Sequence, residues 1–263
     1  MIKTKIEEYK KDRLVVYTAL FGNYDDLIEP SDKFEGCDFV CFTNQKHLKS
    51  DIWEIRIVEE CHLPLNMMNR RYKFFPNEIF LDYDQSLYVD ANIYIKKNPK
   101  EIADCYLTNY HLVIPKHCTR DCIYEEAKEV VKQGKAKLAD VNVQVEKYQS
   151  EGFPKNFGLA ANYIIFRHHH KLDVVELMKS WWQELSNYTK RDQLSLMYLV
   201  WKIGVKIKLI PENARGGVYF SLKLHKNDKA VGVLSRIVNY RREYLTNFPN
   251  GFYAKIEKKL RNK

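Results

Sequence analysis

Asp90 and Asn92 sit one residue apart inside an otherwise apolar run, SLYVDANIYI. A carboxylate in such a run is costly unless something pairs with it. If the run is one strand, positions i and i+2 share a face. At the strand's C-terminal end both side chains would then open into the crevice where α/β proteins bind ligands. Two oxygen donors there suit Mg2+ or Mn2+, hard cations that leave other coordination positions to water and phosphate. The alternative is local: Asp90 accepts backbone N–H bonds in a turn, with Asn92 beside it. Spacing alone leaves both open.

Two further groups carry chemistry. Arg70 and Lys73, in NMMNRRYKFF, lie three apart and share one face of a helix. An arginine fork and a lysine point charge suit a diphosphate, and a solvated basic face is the alternative. Asp192 and Gln193, in RDQ, open another helix. Thr189 stands three residues before Asp192 and fits a capping box, which would make Asp192 structural. Otherwise Asp192 lies at the mouth of the sheet, free to contact a substrate hydroxyl or act in catalysis. The triplet His168–His170 reads as an exposed turn after a strand rather than a metal tract. His117 and His225 stand singly near strand or loop ends.

The elements that must position these residues alternate. RLVVYTALFG, CDFVCFTN and WEIRIVEE read as strands, NMMNRRYKFF as a helix stopped by Pro76, and QSLYVDANIYI as one strand covered on both faces. HLVIPKH is a strand and DCIYEEAKEVVKQG a helix, with residues 134–157 a loop or excursion. NYIIFRHH is a strand. LDVVELMKSWWQEL is an amphipathic helix with Trp181 and Trp182 on its apolar stripe. RDQLSLMYLVWKIG is a helix ending at Gly204, VKIKLIP a short strand, and the rest irregular until a basic tail. This order predicts an α/β sandwich with a mostly parallel sheet, read as a single domain over 1–263 with its core in 13–225 and the tail in 226–263.

Composition narrows the partners. The 263 residues are 45% hydrophobic and carry a net charge of +9, which fits an anionic partner or a solvated lysine-rich surface. The basic end, AKIEKKLRNK, could hold the chain near an anionic membrane surface. No aromatic-basic motif supports nucleic-acid binding despite 18 tyrosines. The P-loop, the dinucleotide G-x-G-x-x-G and H-E-x-x-H are all missing. Six cysteines without zinc-knuckle spacing read as buried free thiols. No run approaches the ~18 apolar residues of a membrane span, and the charged first residues read as no secretory signal, so the expected compartment is the cytoplasm.

Taken in order, VYTALFGNYDDL, DFVCFTN, RRYKFFPNEIF, SLYVDANI, HCTRDCIYEEA and WWQELSNYTKRDQLSLMY resemble a glycosyltransferase family formerly catalogued as a domain of unknown function. That family includes plant mucilage-associated and bacterial members. The resemblance covers about residues 13–205. It implies the GT-A class of nucleotide-sugar transferase folds, nearest the retaining, glycogenin-like enzymes. By that resemblance Val16 to Ala19, including Thr18, form the nucleotide floor with Gly22 and Tyr24. Asn44 stands where an aspartate near the base or ribose is usual. Arg70 and Lys73 match an R-x-x-K facing the diphosphate. Asp90-Ala91-Asn92 matches the D-x-D-like metal motif, with Ala91 for the usual glycine and Tyr88 for the preceding tryptophan, and His225 would supply a third ligand. Asn162 and Asp192-Gln193 match positions that hold donor sugar and acceptor. The implied activity is a Mn2+- or Mg2+-dependent, retaining transfer from a uridine-linked nucleotide sugar to a glycan or glycolipid. The rival is a non-catalytic glycan- or nucleotide-sugar-binding relative.

Overall fold

The computed structural model describes residues 12–59 and 62–223. Strands β1 (Leu14–Leu20), β2 (Cys37–Thr43), β3 (Glu54–Ile57), β4 (Gln85–Val89), β6 (Leu112–Pro115), β7 (Ile164–His168) and β8 (Lys208–Ile210) form a seven-stranded sheet in the order β3-β2-β1-β4-β7-β6-β8. β1 is buried along its whole length, as its run LVVYTAL predicts for a strand covered on both faces. Pairing is parallel except along β7, which runs against both β4 and β6. The sheet is therefore mostly parallel within a mixed α/β architecture.

Alternation along each strand feeds two layers. Tyr17, Tyr88 and Ile165 face one layer, which helices α1 (Leu65–Phe74), α5 (Leu172–Asn187) and α6 (Leu196–Ile203) fill with Phe74, Leu177, Trp181 and Tyr198. Val16, Leu87 and Phe166 face the other, closed by Trp53, by Ile102 of α2 (Lys100–Tyr106) and by Phe220. α6 ends where expected, at Gly204, whose φ of 78° lies in the left-handed region that glycine adopts without a Cβ penalty.

Four expectations are corrected. QSLYVDANIYI is not one strand: Ile93 N–H donates to the Asp90 carbonyl at 2.9 Å, so residues 90–93 turn, and β5 (Ile93–Ile95) leaves the main sheet. β5 pairs instead with β9 (Phe220–Leu222), inside the stretch read as irregular. Residues 134–157 contain a helix, α4 (Leu138–Ser150), beyond α3 (Ile123–Lys132). Of the described cysteines, Cys37, Cys41 and Cys122 are buried free thiols, but Cys105 and Cys118 are exposed.

α4 docks through a buried polar network rather than an apolar stripe. Glu184 of α5 accepts bonds from Lys147 at 2.9 Å and from Tyr148 at 2.9 Å, and Gln144 donates to the Tyr148 hydroxyl at 2.7 Å. Removing one member of such a network strands its partners. Glu184→Ala is expected to lower unfolding free energy by about 2–3 kcal/mol. Urea denaturation reads this, and a loss under about half a kcal/mol would show the network to be idle.

The histidine triplet is structural, and it is not the exposed turn expected, since His169 is buried. His168 Nε2 meets the Leu107 carbonyl at 3.0 Å, and His169 and His170 both turn Nε2 to the Phe80 carbonyl at 3.0 and 3.2 Å. Burial, the largest influence, holds the His169 imidazole neutral, its pKa pulled down to about 3. No helix among the described residues is long and apolar enough to cross a membrane.

Candidate functional site

The order of the sheet reverses beside β1: β2 and β3 lie to one side, β4 to the other. In open α/β sheets ligands bind outside the carboxyl ends of the strands at such a switch point. β1 ends there at Leu20 and β4 at Val89, so Asp90 is the first residue beyond the strand.

Three charged side chains from distant segments meet at this end. Lys73, in the last turn of α1, is 3% exposed. Its Nζ lies 2.6 Å from Asp192 Oδ2 and 3.9 Å from Asp90 Oδ1. Asp192 begins a one-turn 3-10 helix (Asp192–Leu194) ahead of α6. The capping box does not form, because the Thr189 hydroxyl donates to Gln144 Oε1 at 2.6 Å. Asp192 is instead anchored by Trp181, whose indole N–H donates to its carbonyl at 3.1 Å. This role of Trp181 was invisible in a residue read as core.

Asp90 is not deeply buried: its side chain is 41% exposed. Its Oδ1 accepts from the Tyr88 hydroxyl at 2.9 Å, and its backbone N–H donates to the Tyr163 carbonyl at 3.0 Å. Tyr88 also reaches Asn69 Oδ1 at 3.4 Å, and the Asn69 amide donates to the Ala19 carbonyl, which ties the end of β1 to Asp90. Asn69 escaped the sequence reading. Tyr88 carried a signal, standing two residues before Asp90 on one strand face.

Burial works against a charge on Asp192, but Lys73, with Arg70 and Arg191, outweighs it and holds the carboxyl down to about 2, below its ordinary 3.8. A depressed carboxylate stabilises the fold above its unfolded pKa and loses that contribution as pH falls through the folded value. The window is therefore about pH 4 down to 2, and the contribution is about 2 kcal/mol. The stability gap between the native chain and Asp192→Asn is expected to close across that window, measured by urea midpoints from pH 6 to 2. A gap unchanged over that range would contradict the pairing.

The remaining site residues take varied places. Arg70 donates Nη1 to the Asn66 carbonyl at 2.8 Å, and its Nε is buried with no partner among the described residues. Gly22, at φ 70°, donates its N–H to Asn44 Oδ1 at 2.9 Å, and its carbonyl accepts from Gln45 at 2.6 Å. Asn44 thus shapes the loop after β1, beside which Tyr24 is 57% exposed. Ala19 is buried in the α1 layer, while Thr18 is fully buried among residues facing the opposite layer, its hydroxyl without a partner among the described residues. Gln193 donates to the Ala160 carbonyl at 3.1 Å. Two residues on, Asn162 is 5% exposed, and neither polar atom of its amide has a partner among the described residues. Because Tyr163 next to it holds the Asp90 backbone, residues 160–163 connect Gln193, Asn162 and Asp90 along one wall.

Asn92 does not share a strand face with Asp90. The turn at 90–93 sends its Nδ2 to the Lys223 carbonyl at 3.0 Å, while Lys223 N–H returns to the Asn92 carbonyl at 2.9 Å. Among the described residues no three of His, Cys, Asp and Glu cluster as cation ligands. The donor chemistry at Asp90 nonetheless fits a hard divalent ion. Oδ1 holds the Tyr88 and Lys73 contacts, and Oδ2 accepts no hydrogen bond among the described residues. A single carboxylate oxygen leaves most coordination positions to phosphate and water, as Mg2+ sites often do. His225 and the basic stretch 226–263 lie outside the described residues.

Residues 41–219 match the family described as TOD1/MUCI70, glycosyltransferase-like domain. A probable hexosyltransferase of Arabidopsis thaliana, MUCI70, is 24% identical over 222 residues, which cover 73% of this chain and 38% of that protein. The chain thus spans well under half the length of that relative. Among solved structures, the galactosyltransferase LgtC in complex with donor and acceptor sugar analogs is 12% identical, covers 77% of this chain and 74% of its own, and superposes with a TM-score of 0.42. The glycosyltransferase GlyE of Streptococcus pneumoniae is 10% identical, covers 93% of this chain and 53% of its own, and superposes at 0.41. Both superpositions are loose, and no chemistry follows from them. The family match covers well over half of the sequence: the chain belongs to the TOD1/MUCI70 glycosyltransferase-like domain family.

Proposed function

We propose that this chain is a metal-dependent glycosyltransferase of the GT-A class that moves a sugar from a uridine-linked nucleotide sugar to a glycan or glycolipid, with retention. The observation that carries the proposal is the buried Lys73 ammonium, held 2.6 Å from Asp192 and 3.9 Å from Asp90 at the switch point of the sheet.

Cleaving the bond to a nucleoside diphosphate builds negative charge on the leaving phosphate. Fixed cations in a dry site stabilise such charge without reorganising. Lys73 and Arg70 supply them, and Asp192 keeps Lys73 oriented while itself staying ionised. Asp90 would hold the cation, which when bound adds Lewis-acid neutralisation of the diphosphate. The Asn162 amide, buried along the wall with Gln193 and without a partner among the described residues, offers a donor and an acceptor to sugar hydroxyls.

Retention could use a carboxylate nucleophile or same-face attack with the leaving phosphate as base. Asp192 is the available carboxylate, but the ion pair with Lys73 occupies Oδ2 and quiets it as a nucleophile. This favours same-face attack, with Gln193 supporting the acceptor.

One observation favours the non-catalytic rival. Asn92 has structural work, its amide nitrogen fixed on Lys223. The deciding experiment is nucleoside diphosphate release from a panel of nucleotide sugars in Mn2+. Release above the metal-only blank supports the transferase; tight nucleotide-sugar binding with no release would establish the rival.

A further inference from the structure

Arg167 is among the largest fully buried side chains, and no ion pair accompanies it among the described residues. Its Nη1 contacts Met178 Sδ at 3.1 Å. Its Nη2 donates to the Tyr17 hydroxyl at 2.7 Å and to the Lys73 carbonyl at 2.8 Å, while Nε is buried with no partner among the described residues. The Tyr17 hydroxyl in turn donates to the same Lys73 carbonyl at 3.1 Å.

A buried guanidinium without an acid is a poor stabiliser. Its desolvation costs several kcal/mol, and apolar side chains of similar volume often serve a fold as well or better. The compensation here is the C-terminal end of α1. The last carbonyls of a helix lack intrahelical partners and carry the negative end of its dipole. Arg167 and Tyr17 converge on one of those carbonyls, and it belongs to the residue whose ammonium reaches Asp192 and Asp90.

We propose that Arg167, through the Lys73 carbonyl and with Tyr17 as its relay, is a positioning residue that sets where the Lys73 ammonium sits against the departing diphosphate. The backbone of residue 73 is pinned to β1 and β7 from beneath, so the side chain above it reaches the site from a fixed origin. Loss of the pin would let the end of α1 shift. A misplacement of about 1 Å at a reacting group costs on the order of 10²-fold in rate. The inference rests on the transferase reading.

The test is a double-mutant cycle on diphosphate release in Mn2+, combining Arg167→Met or Tyr17→Phe with Lys73→Met. Arg167→Met keeps length and apolar packing; Tyr17→Phe keeps the ring and removes only the relay. In the native background Arg167→Met is expected to lower kcat by about 30-fold or more with donor KM within about 3-fold, and Tyr17→Phe by about 5-fold. In the Lys73→Met background neither should lower kcat further. Arg167→Lys, which keeps charge but not the fork, should resemble Arg167→Met rather than restore the rate. Equal fold-losses in both backgrounds, or melting temperatures that fall while kcat holds, would overturn the inference. If Arg167→Met fails to fold, the Tyr17→Phe arm decides alone. A native chain that releases no diphosphate overturns the transferase and this inference together, whereas an active native chain with an additive cycle overturns this inference only.

Discussion

Lys73→Met is expected to lower diphosphate release by about 10²–10³-fold, the usual loss when one fixed donor to a developing oxyanion is removed. The ammonium is the most buried charge at the switch point and pairs with Asp192 at 2.6 Å. Its removal also strands the Asp192 carboxylate, whose side chain is 14% exposed, with Arg70 and Arg191 as the remaining compensating charges. Lys73→Met should therefore be destabilised as well as slow. The two effects separate in Lys73→Met/Asp192→Asn: neutralising the stranded acid should recover most of the lost stability and none of the lost rate. Recovery of both would mean that Lys73 serves only to neutralise Asp192.

Asp90→Ala should have a comparable effect on rate with a much smaller one on the fold. Release is expected to fall by at least about 10³-fold and to lose its dependence on Mn2+, since the one carboxylate of the proposed ion site is gone. The structural cost is small. The Asp90 side chain is half-exposed, its main hydrogen bond comes from Tyr88, and Tyr88 keeps Asn69 as a second partner. One lost bond of this kind is worth about 1 kcal/mol. Urea denaturation beside the rate assay checks both halves. A variant that folds normally and still turns over with the native metal dependence would remove Asp90 from the ion site.

Much of the architecture was legible because burial imposes a period. The unbroken apolar run of β1 marks a strand covered on both faces, and Pro76 places the end of α1 within a residue or two. Strand direction leaves no such trace, so nothing local distinguishes antiparallel β7 from its neighbours. α4 was missed for a specific reason: its buried face is Val141, Gln144 and Tyr148, a helical spacing in which a glutamine and a tyrosine replace apolar residues. Periodicity in hydrophobicity cannot show a stripe whose members are buried through hydrogen bonds. β9 is three residues long and carries no pattern of its own.

The site divides in the same way. Arg70 and Lys73 are neighbours on one helix face, and Asp90 follows a strand, so each was visible as a candidate. Their meeting with Asp192 was not, since 119 residues separate Lys73 from its partner. Only the family resemblance joined them beforehand. The reading of Asp90 and Asn92 as one strand face failed because the chain turns at 90–93, and a turn written DANI between apolar residues resembles a continuing strand. Arg167 looked like an ordinary strand residue beside a histidine triplet, because nothing in sequence says that a helix end lies beneath it.

The most direct test is calorimetric titration of uridine diphosphate into the native chain and Asp90→Ala, each in Mn2+ and in EDTA. Binding to the native chain in Mn2+, weakened at least about 10-fold by EDTA or by the substitution, is the predicted result, because the ion and Lys73 share the diphosphate. Equal affinity in all four titrations, or none in any, would contradict a diphosphate held at Asp90 and Lys73.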